Sequence, residues 1–159
     1  MSNINMWEIE DSFYAQGMKV ICGVDEAGRG PLAGPVCAAA VILPEHLELP
    51  GLTDSKKLTD KKRRELFPII KEQAIAYGIG LATEKEIDEI NILQATFLAM
   101  QRALDQLSVK PDIALIDGNR EKDFGLPVMT VVKGDSRSAN IAAASVLAKV
   151  TRDMYMEEL

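Results

Sequence analysis

The chain has 159 residues, of which 47% are hydrophobic and 26% charged, and its formal net charge is −6. This composition excludes a disordered chain, and the length predicts one domain that buries about two-thirds of its unfolded surface. No apolar run reaches the roughly 20 residues that a membrane-spanning helix needs. The acidic balance argues against nucleic-acid binding through overall charge alone. A basic segment from Lys56 to Arg64 could still contact phosphates, although a solvated helix face explains it equally well.

The termini and the cysteines bear on location. Residues 1–16 contain no lysine or arginine, so they lack the basic start of a secretory signal. Cys22 and Cys37 each lie within an apolar run. We therefore predict free, buried thiols and a cytosolic protein, rather than a disulfide or a metal site.

Apolar patterning predicts strands at 19–24, 36–43, 74–81, 112–116 and 128–132. Thr59 is expected to cap a helix that runs to 73, and Thr83 with Glu86 forms a capping-box pattern for a short helix. Asn91 is expected to begin a longer helix, and a last helix starts at 139. The element order predicts one α/β domain over residues 1–159, with a five-stranded mixed sheet flanked by helices. The final residues lie in a helical pattern with no stop signal, which indicates a domain that is short at its C-terminus.

Three predicted strands end in carboxylates: the first in Asp25 and Glu26, the fourth in Asp117 and the fifth in Asp135. If these strands are parallel, the acids meet at the carboxyl edge of the sheet, where open α/β sheets bind ligands. Asp25 and Glu26 can face the same way only if Glu26 already lies in the glycine-rich turn that follows. Crowded carboxylates repel one another, and Mg²⁺ or Mn²⁺ would relieve that repulsion. The joint placement therefore predicts a metal site.

Each acid also has an ordinary structural explanation when it is taken alone. Asp117 lies in Asp-Gly-Asn, a common turn sequence, and Gly134-Asp135-Ser136 is typical of a helix start with a capping residue.

Other kinds of catalytic or nucleotide-binding site find less support in the sequence. His46 is the only histidine and lies in a loop-like segment, which argues against a Ser–His–Asp or Cys–His centre. The glycine turn at 28–34 lacks the Gly-Lys-Ser/Thr ending of a phosphate-binding P-loop.

Five segments of the chain together resemble the bacterial ribonuclease HII family, in order and in spacing. The match extends from about Val20 to the last residues. The segments are Asp25-Glu-Ala-Gly-Arg-Gly-Pro31, Asp54-Ser-Lys-Lys-Leu58, Asn91-Ile-Leu-Gln-Ala-Thr96, Asp117-Gly-Asn119, and Lys133-Gly-Asp-Ser136 followed by Ala142-Ala-Ala-Ser-Val-Leu-Ala-Lys-Val-Thr-Arg-Asp153.

The resemblance implies a ribonuclease H-like fold and endonucleolytic cleavage of RNA in RNA–DNA hybrids, including cuts 5′ of single ribonucleotides in duplex DNA. It implies that Asp25, Glu26 and Asp117 hold two divalent cations, Mn²⁺ or Mg²⁺, and that Asp135 completes the catalytic acids. Two-metal hydrolysis would leave 5′-phosphate and 3′-hydroxyl ends. We expect a hybrid or ribonucleotide-containing duplex as partner, no membrane partner, and a monomer.

The resemblance also assigns residues to the substrate. The backbone of Gly28, Arg29 and Gly30 would recognise the ribose 2′-hydroxyl, and Lys56 would contact a backbone phosphate. Members of the family extend further at the C-terminus, so a catalytically weak, nucleic-acid-binding form is the alternative function. A third possibility is another hydrolase or phosphotransferase on the same fold.

Overall fold

The computed structural model describes residues 5–28, 34–52 and 58–158. Within them, four α-helices, five strands and one 3₁₀ turn follow one another along the chain. In order they are α1 (Glu8–Tyr14), β1 (Ile21–Ala27), β2 (Val36–Ile42), α2 (Asp60–Gln73), β3 (Ala76–Ala82), α3 (Glu84–Asp105), β4 (Ile113–Asp117), β5 (Val128–Val131), the 3₁₀ turn (Gly134–Ser136) and α4 (Ala139–Glu157).

The five strands form one mixed sheet in the order β3-β2-β1-β4-β5. β1 pairs antiparallel with β2, and β2 pairs antiparallel with β3. β4 pairs parallel with β1 on one side and with β5 on the other. The predicted antiparallel opening and parallel continuation are therefore confirmed. The carboxyl ends of β1, β4 and β5 lie at one edge of the sheet.

The helices start where the sequence predicts. Thr59 accepts a hydrogen bond from the amide of Lys62 at the start of α2, and Thr83 and Glu86 form the capping box of α3. Asn91 has φ 74° and ψ 167°, which interrupts α3, and its side chain accepts from the amide of Gln94 (3.0 Å). Asn91 therefore caps a second helical segment, as its position in the sequence predicts.

Strand boundaries differ from the prediction by up to three residues, most of all in β1. The expected strand 19–24 instead spans Ile21–Ala27, because β2 pairs with it as far as Ala27 opposite Cys37. α1 does not appear among the predicted elements. It is short, and it packs Ile9 and Phe13 against residues of β1 and β4.

Helices cover both faces of the sheet. α3 packs on one face, where Phe97, Met100 and Leu104 meet apolar side chains of β1, β2 and β4. α4 and α2 pack on the other face. α4 approaches the sheet closely because the run Ala142–Ala144 has small side chains, as does Ala39 of β2 opposite it. Within the described ranges, no helix combines the length and apolar character that a bilayer crossing requires.

The cysteines, the histidine and Arg64 of the basic segment all lie in described parts of the structure. Cys22 and Cys37 are free and buried, as predicted, and burial raises the pKa of each thiol to about 12. His46 is exposed, stacks on Trp7 and lies 2.6 Å from Asp11. Arg64 of the basic segment pairs with Asp60 and Glu157 on the protein surface, which favours the solvated-helix interpretation for that residue.

Candidate active site

Asp25 of the first strand and Asp117 of the fourth strand point to the face of the sheet that α4 covers. Ile113 and Leu115 of β4 point toward that face, where they pack with Ile141. Because side chains alternate along a strand, Asp117 points the same way, and Asp25 of β1 does so by the same rule. Asp25 is only 4% exposed. The sheet therefore brings two of the predicted acids together at its carboxyl edge.

Asp135 joins them from the 3₁₀ turn between β5 and α4, and it is 8% exposed. The turn is tied to β4, since the amide of Gly134 donates to Oδ1 of Asp117 at 2.7 Å. The amide of Gly118 in turn donates to the carbonyl of Val131 at 3.0 Å. These bonds fix the end of β4 against the end of β5. Asp135 is not the capping residue of α4, because Ser138 holds that position and accepts from the amide of Ile141.

Glu26 does not lie in the turn, and that part of the prediction is wrong. β1 continues to Ala27, and Glu26 pairs with Ala38 inside the sheet. Its side chain therefore points to the opposite face from Asp25. There it lines a small cleft beside Thr96 and Phe97 of α3, which also reaches Asp117 at the sheet edge. The backbone amide of Glu26 donates to Oδ1 of Asp25 at 2.8 Å.

The electrostatics show that the four acids are neighbours. Burial raises the pKa of Asp25 well above its ordinary value, and the charges of Glu26, Asp117 and Asp135 raise it further. Burial and the charge of Asp135 also raise the pKa of Asp117. Hydrogen bonds from the amide of Gly134 and from the Asp25 carboxyl act in the opposite direction on Asp117. Without a compensating cation, the charged forms of Asp25 and Asp117 are therefore less favourable than they would be in water.

The donor chemistry of this site fits a hard divalent cation. Carboxylate oxygens are the ligands that Mg²⁺ and Mn²⁺ prefer, and a cation would offset the repulsion that raises these two pKa values. In the part of the chain that the structure describes, no three acidic, histidine or cysteine side chains are arranged to ligate one ion as they stand. Asp25 and Glu26 point to opposite faces, which accounts for the separation of two of the donors. The metal assignment therefore stays a prediction.

Gly23 lets α4 approach this site. A Cβ atom at Gly23 would lie 2.2 Å from the carbonyl carbon of Asn140 and 2.3 Å from the amide nitrogen of Ile141. The first turn of α4 thus rests directly on β1, two residues before Asp25. Only glycine permits this contact.

The predicted substrate-binding residues fall mostly outside the described part of the chain. These residues are Arg29, Gly30 and Lys56. Gly28 is described: its φ is +104°, and a Cβ atom on it would lie 2.4 Å from Nε of Arg152. Arg152 is buried, and that Nε donates to the carbonyl of Pro35 at 2.9 Å. The Arg152 side chain therefore packs against Gly28 and Gly34, on either side of the residues that the structure does not describe.

A buried polar cluster near the site does not appear among the predictions. Oε2 of Glu10 accepts from Oγ of Ser138 (2.7 Å), from Nδ2 of Asn140 (2.9 Å) and from the Asn140 amide (3.3 Å). Oδ1 of Asn140 accepts from the amide of Leu43 at 2.8 Å. The only signal in the sequence was that Ser138 and Asn140 open a helix whose first turn has no acidic residue.

Comparison with solved structures defines the class of the fold. Ribonuclease H2 from Pyrococcus horikoshii OT3 superposes with a TM-score of 0.74 and 33% identity, covering 88% of this chain and 75% of that one. Bst-RNase HIII, solved in complex with Mn²⁺, gives a TM-score of 0.69 over 87% of this chain and 53% of its own length. At 21% identity the second match shows the fold alone. The fold is that of the ribonucleases H.

Sequence comparison then gives the family. A profile described as Ribonuclease HII matches residues 22–159. Ribonuclease HII from Syntrophotalea carbinolica is 58% identical over 147 residues, which cover 92% of this chain and 70% of that protein. The chain belongs to the ribonuclease HII family and is a hydrolase of the ribonuclease H class.

Proposed function

We propose that this chain cuts the RNA strand of RNA–DNA hybrids and also cuts 5′ of single ribonucleotides in duplex DNA. Such a cut would begin the removal of a ribonucleotide from DNA. One observation carries the proposal: in a chain of this family, buried Asp25 lies near half-buried Asp117 and buried Asp135 at the carboxyl edge of the sheet, and their charges raise its pKa. Burying mutually repelling carboxylates costs free energy, and such clusters are typical of sites where a cation binds or where the acids act in catalysis.

In the proposed mechanism, Asp25, Glu26 and Asp117 would hold two divalent cations, Mg²⁺ or Mn²⁺, and Asp135 would complete the catalytic acids. When bound, such ions supply an activated water and stabilise the leaving 3′-oxygen. A water oxygen forms a bond to phosphorus as the bond from phosphorus to O3′ breaks. The products are a 5′-phosphate and a 3′-hydroxyl.

The residues of the chain supply the positioning. The amide of Gly134 holds Oδ1 of Asp117, and the amide of Glu26 holds Oδ1 of Asp25, so that each carboxylate keeps one orientation. Glu26 approaches from the α3 side of the sheet and Asp25 from the α4 side. The residues that would hold the proposed ions therefore come from both faces of the sheet.

We assign substrate recognition to Gly28, Arg29, Gly30 and Lys56. A glycine backbone can approach a ribose closely, and the 2′-hydroxyl is what distinguishes RNA from DNA at one nucleotide. The lysine would contact a phosphate. The positive φ of Gly28 and its contact with Arg152 support a fixed start for this recognition loop.

We further propose that residues 1–159 act as one catalytic domain, as a monomer, in the cytoplasm. The support for the cytoplasm is the pair of reduced, buried cysteines, Cys22 and Cys37. Reduced thiols are typical of a reducing compartment.

The deciding experiment uses four labelled substrates with the full chain and either Mg²⁺ or Mn²⁺. They are an RNA–DNA hybrid, a DNA duplex with one ribonucleotide, an all-DNA duplex and an all-RNA duplex. We expect cuts in the first two only, with a single cut on the 5′ side of the ribonucleotide and 5′-phosphate ends. Chelation should stop cleavage.

The matched control for a substitution in the site is the same substitution of an aspartate outside the site. Asp117→Asn should abolish cleavage, whereas Asp105→Asn, at an exposed position on α3, should leave it unchanged. Binding without cleavage would indicate a nucleic-acid-binding protein on this fold. Cleavage of the all-DNA duplex would indicate a different phosphodiesterase.

A further inference from the structure

The carboxyl group of Glu10 is buried at the start of α4, far from it in sequence. Glu10 is 0% exposed and lies on α1, 128 residues before Ser138. Its Oε2 accepts three hydrogen bonds, all from residues of the first turn of α4 or its cap. In the described part of the structure, its Oε1 has no hydrogen-bond partner. An apolar side chain would fill such a position at lower desolvation cost, so the carboxyl group needs an explanation.

The first turn of α4 is held from two sides. On one side, α1 holds it through Glu10, and Met6, just before α1, holds it through its carbonyl, which accepts from the amide of Ala139 at 2.8 Å. β2 holds it through the amide of Leu43, which donates to Asn140. Between these contacts the backbone of Asn140 rests on Gly23. The helix start therefore has little freedom to move along or away from the sheet.

The same segment leads directly to Asp135. The amides of Arg137 and Ser138 donate to the carbonyl of Gly134 at 2.9 and 2.8 Å, which closes the 3₁₀ turn onto the helix start. The amide of Gly134 holds Asp117. A continuous chain of hydrogen bonds thus runs from Glu10, through Ser138 and the turn, to the catalytic acids.

We propose that Glu10 is a positioning residue of the nuclease: through Ser138 and Asn140 it fixes the turn that carries Asp135. The expected effect on kcat rests on the proposed function, whereas the expected effect on hydrogen exchange does not. The proposal gives α1 a role in catalysis, although none of the four acids of the candidate active site lies on α1. What matters is the reach of the Glu10 oxygen to its three donors, more than its charge.

Three variants of Glu10 separate reach from charge. Glu10→Gln keeps an oxygen at the position of Oε2 and places its amide nitrogen where Oε1 makes no hydrogen bond in the described structure. Glu10→Asp keeps the charge but withdraws the oxygens by one methylene. Glu10→Leu removes both. Trp7→Phe is the control, since it removes the hydrogen bond from Trp7 Nε1 to the carbonyl of Leu47 (3.3 Å) beside α1 and leaves the Glu10 cluster intact.

The measurements are kcat and KM on an RNA–DNA hybrid at saturating Mg²⁺ or Mn²⁺, and amide hydrogen exchange at 134–141, all well below the melting temperature of each variant. For Glu10→Asp and Glu10→Leu we expect kcat to fall about 10- to 100-fold with little change in KM, as for a misplaced catalytic group. Exchange at 134–141 should speed up in parallel. Glu10→Gln should stay close to the wild type, and Trp7→Phe should change neither quantity.

Two outcomes would overturn the proposal. If Glu10→Asp keeps its activity and Glu10→Gln loses it, then the negative charge of Glu10 at the start of α4 is the important property, and not its reach. If Trp7→Phe lowers kcat as much as Glu10→Asp does, then α1 acts only through stability. If Glu10→Leu does not fold, the contrast between Gln and Asp still decides the question. If the wild type cuts no hybrid, the proposed function fails, while exchange at 134–141 still tests whether Glu10 holds the turn.

Discussion

Replacing Gly23 by alanine should displace α4 from the site, and the size of the effect follows from the contact distances. The new Cβ atom would lie 2.2 Å from a backbone carbon of Asn140 and 2.3 Å from a backbone nitrogen of Ile141. Carbon atoms pack at about 3.5 Å or more, so the first turn of α4 must retreat by about 1 Å. Backbone atoms cannot rotate away as a side chain can. We therefore expect a loss near the upper end of the usual overpacking cost, about 2–3 kcal/mol.

For a chain of this size, that loss lowers the melting temperature by roughly 5–10 °C. The loss of kcat should be larger than the loss of stability, because the displaced first turn of α4 is joined to the 3₁₀ turn that carries Asp135. A misplacement of about 1 Å in a catalytic constellation can lower kcat about 100-fold. The assay is hybrid cleavage at a temperature where the variant is fully folded by circular dichroism, together with a thermal melt.

Gly78→Ala is the matched control for this prediction. Its Cβ atom would lie 2.0 Å from the carbonyl oxygen of Ala103 in α3, an equally severe clash. Gly78 lies on β3, two strands away from β1, and its clash is on the opposite face of the sheet. It should lower the melting temperature by a similar amount and leave kcat nearly unchanged. Equal losses of kcat in the two variants, or a wild-type kcat in Gly23→Ala, would refute the reasoning.

Three further predictions follow from single contacts. Asp117→Asn should abolish cleavage without lowering the melting temperature, because the amide oxygen can still accept from Gly134 while one repelling charge is removed. Glu86→Gln should lower stability near neutral pH. Pairing with Arg102 lowers the pKa of Glu86 from 4.5 to about 2. The stabilisation by the ionised Glu86 carboxylate is therefore complete above pH 4.5 and is lost as the pH falls toward 2, where the melting temperatures of the two proteins should converge. Arg152→Ala should cost about 1–3 kcal/mol in urea unfolding by removing a buried donor, and an unchanged midpoint would contradict that.

The sheet and the positions of its acids could be predicted because both depend on local patterns. A buried strand that ends in Asp25 or Asp117 is visible as an apolar run followed by a carboxylate. Parallel strands bring such ends together whatever the loops between them do. The caps at Thr83 and Asn91 are likewise local, since each side chain bonds an amide three residues later.

The orientation of Glu26 could not be obtained in this way. It depends on how far β2 follows β1, and the glycines after Ala27 suggested that the strand stops earlier than it does. The register of Glu26 opposite Ala38 is a long-range property of two strands, and a shift of one residue would turn both acids to the other face. Local turn chemistry carries no information about that register.

Glu10 shows the same limitation in stronger form. α1 has seven residues, and its apolar pair Ile9 and Phe13 is too short a pattern to distinguish a buried helix from a surface one. An isolated glutamate on such a segment is normally solvated. Only the docking of α1 against the start of α4 makes it a buried acceptor, and that contact joins residues about 130 positions apart. A carboxyl group buried at that cost is explained when the helix it holds carries the turn of the active site.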